Sequence, residues 1–440
     1  MQAFVISLLG IVTIFGYLKK IGYLPDAVTF LLEVYSILAL VYVVAIGVQN
    51  GFRFVRPGYW LLFGAWLLVI FCGALANHVD PGPIVSGLRY YLRWIPIFLL
   101  PAVFAFSEKQ VRQQLKFMGI IAVLQLPIAA SQRLENFRAR GSTGDTTQGT
   151  LLNSGILSIF LIGVASIVLG LAMRRVIKVW TAIVLFMICV IPTTLNETKA
   201  TLFLFPITVA VTFLVGAKPG TRLRATVIAA TSVAVFLAIF VPIYDSLIST
   251  RAYGTKLSDF FTSEGRAAGY MYSGADIGDT ANVKRGDAIV VPLRYLSQDP
   301  VLMAFGVGVG NASRSQFGRS FWGEHYETLG PFLGMGFGTV VTELGLLGLL
   351  VVILLHWNIF SDARSVASRG RRVLPALAMG WCGVVALSAV SYFYKNLIAY
   401  DSMTTLFWYF SGLIAAERMR RPALDSRQDD LRNTYTQGGR

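Results

Sequence analysis

The feature that most constrains this 440-residue chain is a series of apolar runs, each long enough to cross a lipid bilayer. A transmembrane helix needs roughly 20 mostly apolar residues to span about 30 Å of hydrocarbon, and unpaired backbone groups cannot be left in lipid. The sequence therefore predicts an all-α polytopic membrane protein with about 12 transmembrane helices. The twelve runs are residues 2–17, 28–48, 59–76, 84–106, 117–130, 151–173, 177–194, 200–216, 225–247, 333–357, 373–393 and 397–416.

Composition supports a membrane protein and excludes several other classes. Charged residues make up 14% of the chain, whereas soluble globular proteins have about 25%. The formal net charge of +15 would suggest nucleic-acid binding in a soluble protein. Here the arginines lie mainly in short loops between apolar runs and act as topology signals, so we predict no nucleic-acid partner. Cys72, Cys189 and Cys382 lie in separate apolar runs, which excludes a disulfide framework and a cysteine zinc site.

Lysine and arginine residues in alternate loops predict the orientation of the bundle. Because basic residues concentrate in cytoplasmic loops, the side that carries eighteen of them should be cytoplasmic, and both termini should lie there. Lys19 and Lys20 fall on the other side and are exceptions to this rule. The eighteen residues are Arg53, Arg56, Lys109, Arg112, Lys116, Arg174, Arg175, Lys178, Lys218, Arg222, Arg224, Arg364, Arg369, Arg371, Arg372, Arg418, Arg420 and Arg421.

The runs divide the chain into four parts. Residues 1–247 form a membrane domain with helices 1–9, and residues 332–420 add helices 10–12. Between them, residues 248–331 form one large periplasmic loop, in which we expect short helices. Loops of this length are usually functional. The polar segment 421–440 is predicted to be a disordered cytoplasmic tail.

Several arginines lie in the predicted outward loops, where basic residues are normally scarce. Arg89, Arg93 and Arg140 occupy two short loops, and Arg285 begins an amphipathic stretch of the long loop. The planar guanidinium fork suits phosphate oxygens, so these arginines suggest a phosphate-bearing ligand. The alternative is contact with lipid headgroups or a local ion pair, for example between Arg285 and Asp287.

A charged tetrad separates two strongly apolar helices on the outer side. It comprises Asn196, Glu197, Thr198 and Lys199. Charge at membrane depth is expensive and is usually functional. The alternative is a turn in which Glu197 and Lys199 only neutralise each other.

Two histidines receive different interpretations. His325 closes the long loop just before the next helix, between Glu324 and Glu327. An imidazole flanked by carboxylates could act as a general base, and either glutamate could serve instead. A structural role is the alternative for His325. His356 lies at the predicted cytoplasmic end of a helix, where we expect an interfacial residue.

The glycine run 306–310, followed by Asn311, superficially matches a dinucleotide fingerprint. That fingerprint requires a strand before it and a helix after it in a βαβ unit, and an outer loop provides neither. We therefore reject a nucleotide site and expect tight turns and close backbone approach. Gly345 and Gly348 are interpreted as a helix-packing surface.

Several short motifs occur together with this topology. One motif is a junction of the Ser-Arg-Gly type, which here reads Thr198-Lys199-Ala200. Another is a Gly-x-x-x-Asn entry to a helix, formed by Gly149-Thr150 and Asn153-Ser154. The remaining motifs are Arg285, Asp299-Pro300, the glycine run, His325 and Glu343-Leu-Gly345-Leu-Leu-Gly348. With them the sequence resembles the O-antigen polymerase/ligase superfamily, which comprises Wzy-type polysaccharide polymerases and WaaL-type O-antigen ligases.

The resemblance implies a metal-independent, inverting glycosyltransferase without cofactors, built as a GT-C-like bundle in the bacterial inner membrane. It implies a donor glycan carried on undecaprenyl diphosphate and an acceptor that is a glycan or lipid A core. On this basis the predicted catalytic residues are His325, Arg285 and Lys199. The predicted substrate-binding residues are Arg89, Arg93, Arg140, Glu197, Tyr326 and Gly308.

The sequence leaves the exact activity open. A polymerase that extends O-antigen or exopolysaccharide is favoured, and a chain-length regulator would then be a partner. A ligase that moves the finished glycan onto lipid A core or protein shares the donor chemistry. A flippase or transporter is a third possibility, although such folds usually show two related halves, which this sequence lacks.

Overall fold

The computed structural model describes residues 1–50, 52, 54–140, 146–217, 219–247, 269, 271–277, 283–369 and 372–437. These ranges are helical and contain no β-strand. Within these ranges, eight helices are long and apolar enough to cross a membrane, and two shorter apolar helices accompany them. The prediction of an all-α polytopic membrane protein is thus confirmed, and the number of about 12 crossings stays a prediction.

The helices are numbered here in chain order. They are α1 (Gln2–Lys20), α2 (Leu31–Asn50), α3 (Pro57–Ala76), α4 (Pro81–Leu92), α5 (Trp94–Val103), α6 (Glu108–Arg140), α7 (Ser154–Met173), α8 (Val179–Leu195), α9 (Thr201–Gly216), α10 (Arg222–Leu247), α11 (Asp287–Leu296), α12 (Pro300–Phe305), α13 (Tyr326–Leu329), α14 (Gly336–Ala367), α15 (Val373–Ser391) and α16 (Asp401–Gln437). Each predicted apolar run overlaps a helix. The last helix continues to Gln437, through most of the segment predicted to be disordered.

One predicted run, 84–106, is divided between α4 and α5 at Arg93. Pro96 explains the position of the break. Its ring has no N–H to donate to the carbonyl of Leu92 and clashes with that carbonyl in a continuous helix. The break leaves Arg93 between two helices, with its side chain only 4% exposed.

Helix α15 forms the centre of the bundle and packs on α7, α9 and α14. Small residues let these backbones approach closely. A Cβ at Gly380 would lie 2.5 Å from the carbonyl oxygen of Ser166. The Ser166 hydroxyl bonds the Gly380 carbonyl (2.7 Å) and contacts the Thr212 hydroxyl (2.9 Å), so the contact is both tight and polar.

Helix α14 is kinked at Gly345, whose φ of 65° and ψ of −166° are not helical. Its missing Cβ allows contact with the backbone of Ala304, at the end of α12. The interpretation of Gly345 as part of a regular helix-packing surface is therefore wrong. This glycine breaks the helix, because only glycine adopts such a conformation without strain.

His356 lies inside the bundle, so its interpretation as an interfacial residue is wrong. The imidazole is 7% exposed and stacks on Phe407, with 5.1 Å between ring centroids. Its Nδ1 donates to the Val352 carbonyl (2.9 Å), which leaves Nε2 to accept from the Ser388 hydroxyl (3.2 Å). Both ring nitrogens are thus satisfied within the protein.

The two ends of the bundle differ. The loop end is the end on which residues 283–331 pack, and the opposite end collects the predicted cytoplasmic arginines. There the fully buried Asp362 accepts from Arg56 (2.5 Å) and Tyr59 (2.8 Å) and pairs with Arg418. Gln2 also lies at the opposite end, because its amide donates to the Gln110 carbonyl in the first turn of α6.

Candidate functional site

The glycine run 306–310 is buried beneath the kink of α14. Gly306, Gly308 and Gly310 have φ values of 70°, 94° and 73°, which favour glycine strongly. A Cβ on Gly306 would meet the backbone of α14. The expectation of tight turns and close backbone approach is therefore confirmed. Gly308 is itself buried against Val79, and its predicted role in substrate binding stays a prediction.

The same segment brings polar groups to Glu343, which is 1% exposed. The Tyr91 hydroxyl donates to Glu343 Oε2 at 2.8 Å. The Ser313 hydroxyl and the backbone N–H groups of Gly310 and Ala312 also point to this carboxyl. A buried carboxyl requires such donors, and an ionisable group inside a candidate membrane span is functional by default.

Glu343 lies at the base of an open cleft of about 190 Å³ at the loop end. The walls come from α4, the loop segment that follows the glycine run, α14 and the turn between α15 and α16. Such concave surfaces with a few convergent polar groups are the usual form of binding sites. The polar and aromatic lining residues are Tyr90, Tyr91, Ser313, Arg314, Tyr326, Thr339, Glu343 and Asn396.

Arg314 is the only basic side chain among the described residues that line the cleft. Its guanidinium lies 4.7 Å from the ring centroid of Trp322. It forms no ion pair within the described ranges, so its charge is available to an anionic ligand. The sequence prediction missed this residue among the eight basic residues of the loop. Its place directly after the glycine run was the only local signal.

Asn311 fixes the position of His325 relative to the cleft. The Asn311 carbonyl accepts from the His325 N–H (2.9 Å), and its side chain accepts from Glu324 N–H (3.0 Å). The half-buried imidazole packs edge-on to Tyr295, with 6.0 Å between ring centroids. Of the described residues, His325 is not one that lines the cleft, whereas its neighbour Tyr326 is. Its predicted role as the base stays a prediction.

Arg89 and Arg93 lie beside the cleft, but carboxylates compensate their charges. Arg89 Nε is 2.5 Å from Glu33 Oε1, and Arg93 lies 3.6 Å from the same oxygen. Arg93 also pairs with Asp401. This network leaves the two arginines less suited to phosphate than Arg314, because their favourable ion pairs would have to break.

The other predicted residues lie around the loop ends of α7 and α8. Arg285 lies over the ring of Tyr394, at 4.7 Å from its centroid. Glu197 pairs with Arg133 at 3.3 Å, and Lys199 follows in the same turn before α9. The side chain of Arg140, at the end of α6, lies outside the described residues. This group and the cleft both lie at the loop end of the bundle, and Arg285, Glu197 and Lys199 are not among the described residues that line the cleft.

Asp287 organises the loop around Arg285. It accepts from the hydroxyl and the N–H of Ser273, at 2.6 and 2.7 Å, and from the N–H of Lys284 at 3.3 Å. Burial alone would raise the pKa of this carboxyl, but the hydrogen bonds from Ser273, Lys284 and Gly274 outweigh it and hold the pKa below its ordinary value. The charged form of Asp287 therefore ties residues 271–277 to the start of α11.

No protein-family model matches the chain, and no curated protein matches its sequence. Within the part of the chain that the structure describes, no group of three or more His, Cys, Asp or Glu side chains is arranged to hold a metal ion.

Proposed function

We propose that the protein is a glycosyltransferase of the bacterial inner membrane, which transfers a glycan from undecaprenyl diphosphate to an acceptor sugar. The observation that carries this proposal is the cleft, which combines one arginine without an ion pair in the described ranges, three tyrosine side chains and a buried carboxyl at the loop end. A donor of this kind requires positive charge for its diphosphate and a polar, aromatic surface for its sugars. The protein would be a GT-C-like bundle of about 12 transmembrane helices.

The distribution of basic residues supports the orientation that this activity requires. Arg56 and Arg418 meet at the opposite end, and Arg174 donates to the Ala367 carbonyl there. By the positive-inside rule we propose that this end is cytoplasmic, that both termini lie inside and that the cleft opens at the outer face. A lipid-linked glycan presented at that face would reach the cleft from the bilayer.

The cleft supplies groups for each part of an inverting transfer. The acceptor hydroxyl oxygen attacks the anomeric carbon as the bond from that carbon to the diphosphate oxygen breaks. The electron pair leaves with the diphosphate, where the Arg314 fork stabilises the developing charge. The hydroxyl proton passes to a base, and Glu343 is the carboxyl that the cleft offers for this role. Tyr90 and Tyr326 also line the cleft, where their side chains would contact the sugars.

The choice between polymerase and ligase depends on the acceptor. Purified protein incubated with an undecaprenyl-diphosphate-linked repeat unit should form a ladder of longer products if it is the favoured polymerase, for which a chain-length regulator would be a partner. Transfer only to added lipid A core would identify a ligase. A donor that remains unchanged with both acceptors would contradict the proposed activity.

A flippase or transporter is the second candidate. The break at Arg93 and the kink at Gly345 are discontinuities in membrane helices, which are typical of transporter binding sites. Proteoliposomes would separate the two functions. Movement of the lipid-linked glycan across the bilayer without any new glycosidic bond would favour the transporter.

A further inference from the structure

A second cavity, of about 570 Å³, opens at the loop end beside the cleft, with which it shares the lining residue Ala399. It lies between α1, the segment 148–152 and the start of α16, and we name it the lysine groove. Lys19, Lys20, Gln148 and Tyr400 lie at its polar part. Its volume falls within the range of small-molecule sites.

The groove carries one uncompensated positive charge among the described residues. Lys19 is neutralised by Asp26 at 3.0 Å. Asp401, which also lines the groove, is paired with Arg93. The exposed Lys20 ammonium donates to the neutral Gln148 Oε1 at 3.0 Å and has no carboxylate partner within the described ranges. The groove therefore complements an anion.

The groove also has an apolar part. Val12 and Phe15 come from a π-helical turn of α1, Ile11–Phe15, and Leu151 and Leu152 face them. Single π turns inside α-helices frequently occur at functional sites. Because Lys20 is the last residue of a candidate membrane span, its ammonium would lie at the level of lipid headgroups.

We propose that the lysine groove binds an anionic phospholipid, with Lys20 on the headgroup phosphate and an acyl chain along Val12 and Phe15. The inference does not depend on the proposed transferase activity. It also explains why Lys20 is an exception to the positive-inside rule, since its charge serves a site and not the topology.

Native mass spectrometry of the purified full-length chain with added phosphatidylglycerol or phosphatidylcholine tests the proposal. The protein should retain phosphatidylglycerol in preference to phosphatidylcholine. Lys20→Ala should weaken retention about fivefold, the effect of removing one lysine near a membrane surface. Val12→Trp should fill the groove and reduce retention without changing its charge. Lys178→Ala, an exposed lysine at the opposite end, should leave retention unchanged.

Three results would overturn the proposal. The first is equal retention of phosphatidylglycerol by the unchanged protein and by Lys20→Ala. The second is equal retention of phosphatidylcholine and phosphatidylglycerol. The third is displacement of phosphatidylglycerol by an equimolar amount of undecaprenyl phosphate, which would assign the groove to a polyprenyl carrier.

Discussion

At the scale of single residues, Glu343 and His325 are the two candidates for the base that deprotonates the acceptor hydroxyl. Glu343 lies in the cleft and accepts from Tyr91, whereas His325 packs on Tyr295 outside it. We expect Glu343→Gln to reduce turnover about 10²–10⁴-fold, the usual contribution of a positioned base. His325→Ala should have a smaller effect. Turnover measured against pH, with matched expression and thermal midpoints, checks this assignment.

The pH profile distinguishes a base from a structural group. If Glu343 is the base, the ascending limb of the profile should disappear in Glu343→Gln and persist in His325→Ala. Tyr91→Phe removes one donor to the carboxyl and serves as the control, with a loss smaller than that of Glu343→Gln. An ascending limb that disappears only in His325→Ala would restore the histidine as the base.

Asp287 provides a prediction about stability and pH. Because its folded-state pKa is lowered, its stabilising contribution is present above the unfolded pKa of about 4 and is lost as the pH falls through the folded value. Asp287→Asn should therefore lower stability by about 1–3 kcal/mol at neutral pH. The difference in thermal midpoint between the protein and this variant should shrink below about pH 4.

A constant difference in midpoint down to pH 2 would show that the charged form of Asp287 is not what ties the loop. Asp276→Asn changes an exposed carboxyl in the same segment and is the matched control. Its midpoint should stay close to that of the unchanged protein throughout the titration.

At the scale of helices, the contact between α7 and α15 makes Gly380 sensitive to any added side chain. Gly380→Ala should destabilise the protein by about 1–3 kcal/mol, because its Cβ would overlap the backbone of Ser166. In Gly119→Ala, in α6, the added Cβ enters open space. This change should leave the stability unchanged or raise it by up to about 1 kcal/mol. Thermal unfolding in one detergent measures both variants, and equal midpoints would contradict the packing account.

The helices could be predicted from apolar runs, because lipid leaves a helix as the main option for each run. The break at Arg93 could also have been predicted, since Pro96 lies four residues after Leu92. The kink at Gly345 could not have been predicted. Nothing local distinguishes it from other helical glycines, and its conformation depends on contact with Ala304, about 40 positions earlier.

At the scale of the whole molecule, the predicted orientation can be tested by cysteine labelling. In a Cys72→Ser background, Gln298→Cys at the exposed loop end should react with an impermeant reagent in intact cells. Lys178→Cys at the opposite end should react only after permeabilisation. We expect this pattern because each basic residue at the opposite end contributes about 1 kcal/mol of attraction to the anionic cytoplasmic surface of a membrane. The reverse pattern of labelling would contradict the proposed topology.

The candidate site could be predicted only in part. Sequence reasoning found the loop, its arginines and the glycine run, because charge in an outer loop and clustered glycines are local signals. It did not find the cleft, since Tyr91, Arg314 and Glu343 come from three distant segments that meet only in the fold. It could not foresee that Glu33 and Asp401 compensate Arg89 and Arg93.

Transfer of a glycan from a lipid diphosphate by the cleft can be measured in proteoliposomes that contain Arg314→Ala. Loss of one preorganised donor to the leaving group should reduce turnover about 10²–10³-fold. The matched control is Arg319→Ala, since Arg319 also lies over Trp322, at 5.8 Å, but does not line the cleft. Our account predicts near-native transfer by Arg319→Ala and a loss in Arg314→Ala that lysine restores only partly. Full transfer by Arg314→Ala would contradict it.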